Sequence, residues 1–202
     1  MEPSPAQIHM LARVSACVAL RDEAKLKLEL KKALPKIPVT VIREVILQTY
    51  LFAGYASTIN AFIVLNEMTS SPQFAFDPDA SMQSWRERGE ELCRKIYDDQ
   101  YEKLVLNMNA LHPDLADWMV WEGYGKVLSR PFLSPRVREL LIVAMTAILG
   151  VERQFHSHVR GAMNVGATGR EIKAILREIQ TLMSKREYAK FTELTLRLCG
   201  KS

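Results

Sequence analysis

The chain has 202 residues, 48% hydrophobic and 25% charged, enough apolar material for a buried core in one large domain or two small ones. Its formal net charge of +4 is carried in interleaved runs such as Arg86-Glu87-Arg88-Gly89-Glu90-Glu91, so no basic tract marks a nucleic-acid surface. Cys17, Cys93 and Cys199 lie far apart with no CxxC pair, which argues against a disulfide framework or a cysteine zinc site and for reduced thiols in a cytoplasmic protein; no apolar run reads as a signal peptide or a membrane span.

In chain order, Met1 to Gln7 is a polar lead expected to fray. Ile8, Leu11, Ala12, Cys17, Val18 and Leu20 follow a helical period up to the break at Arg21-Asp22. Asp22 is a candidate N-cap for a helix from Glu23 to Leu34, ended by Pro35. Thr40 precedes an apolar helix from Val41 to Phe52, Gly54 interrupts the chain, and Thr58 to Met68 predicts another helix. Thr69 to Ala80, with Ser70, Ser71, Pro72, Asp77, Pro78 and Asp79, reads as a linker.

Ser81 to Met108 predicts a charged helix or helix pair with Trp85, Leu92, Ile96, Tyr97 and Leu104 as its buried stripe. His112-Pro113 marks a helix start leading through Trp118 and Trp121, after which Gly123 and Gly125 are expected to loosen the chain before Lys126 to Arg130. Ser134-Pro135 is a cap followed by proline at the first helical position, predicting an apolar helix to Leu149 that Gly150 ends. A further helix runs from Glu152 to Val165 and stops at Gly166. Thr168 and Glu171 form a capping box opening one or two last helices to near Leu198. No segment alternates with a period of two, so the chain is expected to be all-α.

The stretch from Trp121 to Ile172 carries the chemistry. At about 1.5 Å per residue, Glu139 and His158 stand roughly 16 and 12 Å from the Gly150 turn, on antiparallel helices whose side chains meet across ~8–10 Å. His158 shares a face with Phe155, Ala162 and Val165, while His156 and Arg160 point to solvent. A carboxylate beside a half-buried imidazole fixes its tautomer and makes a proton shuttle; the same pair also serves as a buried ion pair stapling a hairpin. Arg138 and Arg160 are candidate holders of an anionic substrate, as against ordinary surface charges. His156 and His158, two apart on a helix, do not share a face and make a poor metal pair; no phosphate loop, GxSxG or HExxH is present. A weak internal repeat lays Glu23–Ala33 on Glu152–Ala162, with Leu11 on Leu140.

The order YGKVLSRPFLSPRVREL, an apolar helix, then ERQFHSHVRGAMNVGATGREI resembles the core of the carboxymuconolactone decarboxylase and alkylhydroperoxidase D-like superfamily. The matching features are Gly125, Ser129-Arg130-Pro131, Leu133-Ser134, Arg138-Glu139-Leu140, His158 with Ala162, and Gly166-Ala167-Thr168 with Glu171. Arg43 to Phe62, with Gly54, is similar to the family segment that follows the histidine core. The resemblance implies an all-helical bundle of the alkylhydroperoxidase D-like type with two family-like repeats, assembled as a homo-oligomer. It divides the chain into residues 1–68 as a first repeat with a degenerate site, 69–117 as a helical linker segment, and 118–202 as the repeat carrying the site.

Peroxidase members of this superfamily place a CxxC pair ahead of the histidine. Those positions are Val151 and Gln154 here, so the resemblance implies the branch lacking the thiol pair. In that branch the implied chemistry is cofactor-free decarboxylation or proton transfer on a small carboxylated, lactone-like compound, with His158 as proton donor, Glu139 orienting it, and Arg138 or Arg160 holding the anion. In the first repeat His158 falls on Glu29 and Glu139 on Met10, so one site per chain is expected. Ala174 stands where a second family glutamate is usual, and the segment around Gly54 is expected over a site, within or between chains. The competing readings are a non-catalytic oligomeric helical module and a thiol peroxidase. The first predicts a Glu139–His158 pair sealed by Leu and Phe with no cavity, and the second requires Cys17 or Cys93 near His158. No nucleic acid, membrane, metal or cofactor is expected as a partner.

Overall fold

The computed structural model describes residues 2–70, 74 and 76–200, and among them there is helix and no strand. Ser71 and Pro72 of the expected linker, like Met1, lie outside the described residues. The chain runs as α1 (Pro5–Leu20), α2 (Glu23–Ala33), α3 (Val39–Gln48), α4 (Tyr50–Ala53), α5 (Tyr55–Glu67), α6 (Met82–Tyr97), α7 (Tyr101–Leu111), α8 (Pro113–Trp118), a π-helical stretch (Met119–Leu128), α9 (Pro135–Leu149), α10 (Glu152–Asn164), α11 (Gly169–Ile179) and α12 (Lys185–Cys199).

Local chemistry sets most boundaries. Ser4 and Gln7 form a capping box, so α1 begins inside the lead that was expected to fray, and Glu2 ties that lead to Ser134 and Arg136. Arg21 turns left-handed (φ 59°) to end α1, and the Asp22 side chain accepts from the Lys25 amide to open α2. The apolar helix expected over residues 41–52 is broken at Thr49. Its hydroxyl donates to the Ile46 carbonyl at 2.6 Å, competing with the helix ladder, and meets the Thr58 hydroxyl at 2.9 Å. Gly54 (φ 85°) then separates α4 from α5. The charged segment is a pair, α6 and α7, parted where Asp98 takes φ 47°.

Two hairpins, α1–α2 and α9–α10, pack through α1 and α9, the most deeply buried helices; Val137 to Ala147 is buried on every face. Every side of α9 is apolar or internally paired because every side meets another helix: α1, α4, α10 or α11. Leu11, Leu140, Leu141, Phe155 and Phe191 anchor the main core. A second core joins α6 and the π-helical stretch to α9 through Leu92, Cys93, Ile96, Tyr124 and Met145.

Gly123 and Gly125 do not loosen the chain. The π-helical stretch runs straight through both, and at Gly125 α6 and this stretch approach at backbone distance. A β-carbon on Gly125 would lie 1.8 Å from the Trp85 carbonyl oxygen, and one on Gly89 2.1 Å from that of Val120. Trp85 and Trp121 stack beside this contact, with ring centroids 6.5 Å apart. Of the expected α6 stripe, Leu92 and Ile96 are buried, whereas Trp85 and Tyr97 are partly covered.

Candidate functional site

Glu139 and His158 meet as the hairpin geometry requires. The Ser134 hydroxyl caps α9, Pro135 occupies its first position, and Gly150 (φ 71°) reverses the chain into α10. Glu139 Oε2 lies 2.8 Å from His158 Nδ1, with the two residues 1% and 6% exposed. Gly161, on α10 below His158, makes the room: a β-carbon there would stand 2.7 Å from Ile96 Cγ2 and 3.1 Å from Glu139 Oε2. The second carboxylate oxygen, Oε1, is buried without a hydrogen-bond partner. With Nδ1 held by Glu139, Nε2 is the ring nitrogen left for another partner, which is the arrangement of an oriented acid/base group.

His158 borders an open cavity of about 700 Å³ lined by α4, α6, α7, α8, the π-helical stretch and α10. This is the size of a small-molecule site. Phe52 of α4 stands edge-on to the imidazole, centroids 5.3 Å apart, so the segment before Gly54 roofs the site of its own chain. Leu115 and Trp118, 45% and 52% exposed, lie at the mouth. Besides His158, the acidic and basic side chains lining the cavity are Glu122, which accepts from the Tyr50 hydroxyl at 3.2 Å, and Arg153. A π-helical wall is a recurrent feature of functional sites, since the wider turn re-aims side chains that an α-helix would point elsewhere.

The other polar wall is a pair of phenols. The hydroxyls of Tyr97 and Tyr124 lie 2.5 Å apart, and Ser157 lines the same cavity. Burial and the nearby Glu139 charge push both phenols above their ordinary range, so both stay protonated.

Neither sequence-nominated arginine is among the side chains that line this cavity. Arg138, adjacent to Glu139 on α9, is turned about 100° away from it. It is 1% exposed and bonds Gln48 Oε1 (3.1 Å), the Arg130 carbonyl (3.2 Å) and Glu44 Oε2 (3.4 Å). Glu44 also takes two bonds from Arg130, at 2.7 and 2.8 Å. Burial lowers the Arg138 guanidinium to about 10 against the opposing pull of Glu44. The family-like Ser129-Arg130-Pro131 and Arg138 thus tie α9 to α3. Arg160 is exposed on the opposite face of α10 from His158, as is His156.

Cys17 and Cys93 are fully buried. Burial, with the Glu29 charge, pushes the Cys17 thiol up to about 12. Cys93 is close enough to the site that burial and then the Glu139 charge push it up as well, opposite to the activation a reactive thiol needs. In the first hairpin, Glu29 at the position matching His158 pairs with Arg13 at 2.8 Å and Lys32 at 2.9 Å. Among the described residues no cluster of three or more His, Cys, Asp or Glu side chains is arranged to hold a metal, and no helix is long and apolar enough to cross a membrane.

Phe52, Tyr97, Tyr124 and Gly161 were not singled out by sequence as site residues. Gly161 carried a signal, being a mid-helix glycine with no capping role. The two tyrosines lie on separate elements and had none.

A family model described as the carboxymuconolactone decarboxylase family matches residues 113–182. The chain is 31% identical over 90 residues to the 4-carboxymuconolactone decarboxylase of Acinetobacter baylyi, covering 44% of this chain and 67% of that protein. It is 28% identical over 182 residues to Peroxisomal protein 2 of Schizosaccharomyces pombe, covering 85% of this chain and 82% of that protein. To Peroxisomal protein 2 of Saccharomyces cerevisiae it is 27% identical over 161 residues, covering 66% of this chain and 57% of that protein.

Proposed function

This chain belongs to the carboxymuconolactone decarboxylase family, and on that premise we propose that it carries out cofactor-free proton transfer at a carbon beside a carbonyl, in the manner of a decarboxylation of a lactone-like compound. The observation that carries the reading is the Glu139–His158 pair at 2.8 Å, with His158 bordering a 700 Å³ cavity. A pair serving only as a hairpin staple needs no such space beside it. In the proposed step the bond to the departing carboxylate breaks, carbon dioxide leaves, and its electron pair enters the carbonyl as an enolate. Protonated His158 then delivers a proton to carbon. Glu139 holds the ring by Nδ1–H and stabilises the imidazolium while it exists.

The test is carbon dioxide release from a butenolide bearing a single carboxylate at its γ-carbon, with deuterium uptake from heavy water at the carbon beside the carbonyl. His158→Ala is expected to lower either rate by about 100-fold or more. Rates equal to those of the unaltered chain in that variant would sink the assignment.

A second reading has its own support. Two relatives, matched over 85% and 66% of this chain, are named for the peroxisome and not for a reaction. On this reading the chain is a peroxisomal, non-catalytic helical module that assembles with copies of itself. Tyr55, Ile59 and Ile63, one turn apart on α5 and 63%, 54% and 53% exposed, support such an assembly face. Fluorescent tagging reads the location. Light scattering of Ile59→Lys reads the assembly, which is expected to weaken.

A further inference from the structure

The expected anion holders Arg138 and Arg160 are not at the cavity, so the ligand's chemistry must be read from what is there. The walls are mainly apolar, with Leu51, Phe52, Leu104, Met108, Leu115 and Met119 among them. Glu122 and Arg153 offset each other in charge, and the Glu139 carboxylate lies directly behind His158. A dianion entering this space would give up hydration and meet Glu122 and Glu139 against Arg153 and the imidazolium form of His158, with no surplus cation to offset its two charges. An apolar body with one polar end meets matching surface.

The polar end is set by hydrogen-bond accounting. Tyr124 is 4% exposed, and the recorded partner of its hydroxyl is Tyr97. If Tyr97 donated to Tyr124, the Tyr124 proton would be left in a buried position with no acceptor. The satisfied arrangement has Tyr124 donating to Tyr97. The Tyr97 oxygen then accepts from Tyr124, and its own proton is available to the cavity that both rings line together with Ser157 and His158. A hydroxyl that accepts such a bond is a stronger donor, because the chain of bonds polarises it.

We infer that the cavity takes an apolar carbonyl compound bearing at most one negative charge, whose carbonyl oxygen accepts a hydrogen bond from Tyr97, backed by Tyr124, while His158 faces the neighbouring carbon. This rests on the reading of the cavity as the reaction site. It makes Tyr97 a catalytic residue, because the oxygen it holds is the one that becomes an enolate oxygen, and Tyr124 a positioning residue acting through it.

The experiment measures binding, with 2-naphthol as an uncharged mimic of an enol on an apolar body, naphthalene as the same body without the oxygen, and cis,cis-muconate as a dianion. Fluorescence titration of the unaltered full chain is expected to give saturable binding of 2-naphthol, weaker binding of naphthalene, and no displacement of either by equimolar muconate. Tyr97→Phe is expected to weaken 2-naphthol about tenfold, the equivalent of one hydrogen bond, and to leave naphthalene within about twofold. Tyr124→Phe is expected to weaken 2-naphthol by less than Tyr97→Phe does. Retained naphthalene binding in each variant shows that its cavity is intact, and the order of the three probes on the unaltered chain decides the ligand class without any variant. Absence of saturable 2-naphthol binding, displacement by muconate, or an unchanged 2-naphthol affinity in Tyr97→Phe each overturns the inference. A chain that binds 2-naphthol through Tyr97 and yet exchanges no substrate proton supports the inference and refutes the proton-transfer reading alone.

Discussion

Gly161 and Glu139 share one space: the carboxylate of Glu139 occupies ground that a β-carbon on Gly161 would contest at 3.1 Å, with Ile96 pressing from the other side at 2.7 Å. The Glu139–His158 bond therefore depends on a side chain that is missing. Glycine inside a helix is less favourable than alanine by about 1 kcal/mol, so local propensity alone would place alanine here. Tertiary packing reverses the sign. Gly161→Ala is expected to destabilise the chain by about 1–3 kcal/mol in urea unfolding, as overpacking does, and to shift the His158 ring signals in NMR spectra as Glu139 is displaced. An alanine variant more stable than the original would contradict the packing.

Removing one partner of the buried pair differs from removing both. In His158→Ala the Glu139 carboxylate, 1% exposed in the intact protein, loses its hydrogen-bond partner, and a loss of about 1–3 kcal/mol or more is expected. Adding Glu139→Leu to that variant is expected to recover part of the loss, because the stranded carboxylate is gone. Chemical denaturation of the single and double variants gives the comparison; additive losses would show that the two side chains do not interact.

Gly125 and Gly89 set the distance between α6 and the π-helical stretch. Gly125→Ala places a methyl group where the Trp85 carbonyl oxygen already stands, and that oxygen is backbone and cannot swing away. The elements must part, carrying Tyr124 away from Tyr97. Thermal unfolding is expected at lower temperature, with a loss of about 1–3 kcal/mol or more, and 2-naphthol binding is expected to weaken along with naphthalene binding.

Acid stability has a recognisable contributor in Asp77. Its carboxylate takes bonds from Arg88 at 2.6 and 2.9 Å, which hold it well below the usual carboxylate range against the opposing effect of burial; the Trp85 indole adds a third at 3.2 Å. A carboxyl whose folded value is depressed contributes stability that is fully present above its unfolded value of about 3.9 and is lost as pH falls below it. Asp77→Asn is therefore expected to be less stable at pH 7 and to show a shallower fall in stability below about pH 4. Unfolding midpoints measured from pH 7 to pH 2 test this, and parallel curves for the two proteins would remove Asp77 from the acid transition.

Much of this architecture is readable in local chemistry. Ser134-Pro135, Asp22, His112-Pro113, Thr168 with Glu171, and the left-handed Gly150 all act within a few residues of where they stand, and the helix ends they predict are found. Where a boundary depends on a distant partner, local reading fails. Thr49 breaks its helix with help from Thr58, and the lead before α1 is held partly by Ser134 and Arg136. Gly125 lies in a continuous helical stretch because of what α6 brings against it.

The same division runs through the site. Two residues at matching heights on either side of a glycine turn are bound to meet, so the sequence by itself determined the Glu139–His158 pair along with the all-helical class. The direction in which Arg138 points was decided by Glu44 and Gln48 on α3, which are remote in sequence and buried with it. Tyr97 and Tyr124, 27 positions apart on different helices, come within 2.5 Å only because two glycines let those helices touch. Periodicity and capping act through the chain within a turn or two, and they specify elements and faces. Cavity walls and hydrogen-bond partners are set by which faces press together, a property of the packed structure as a whole.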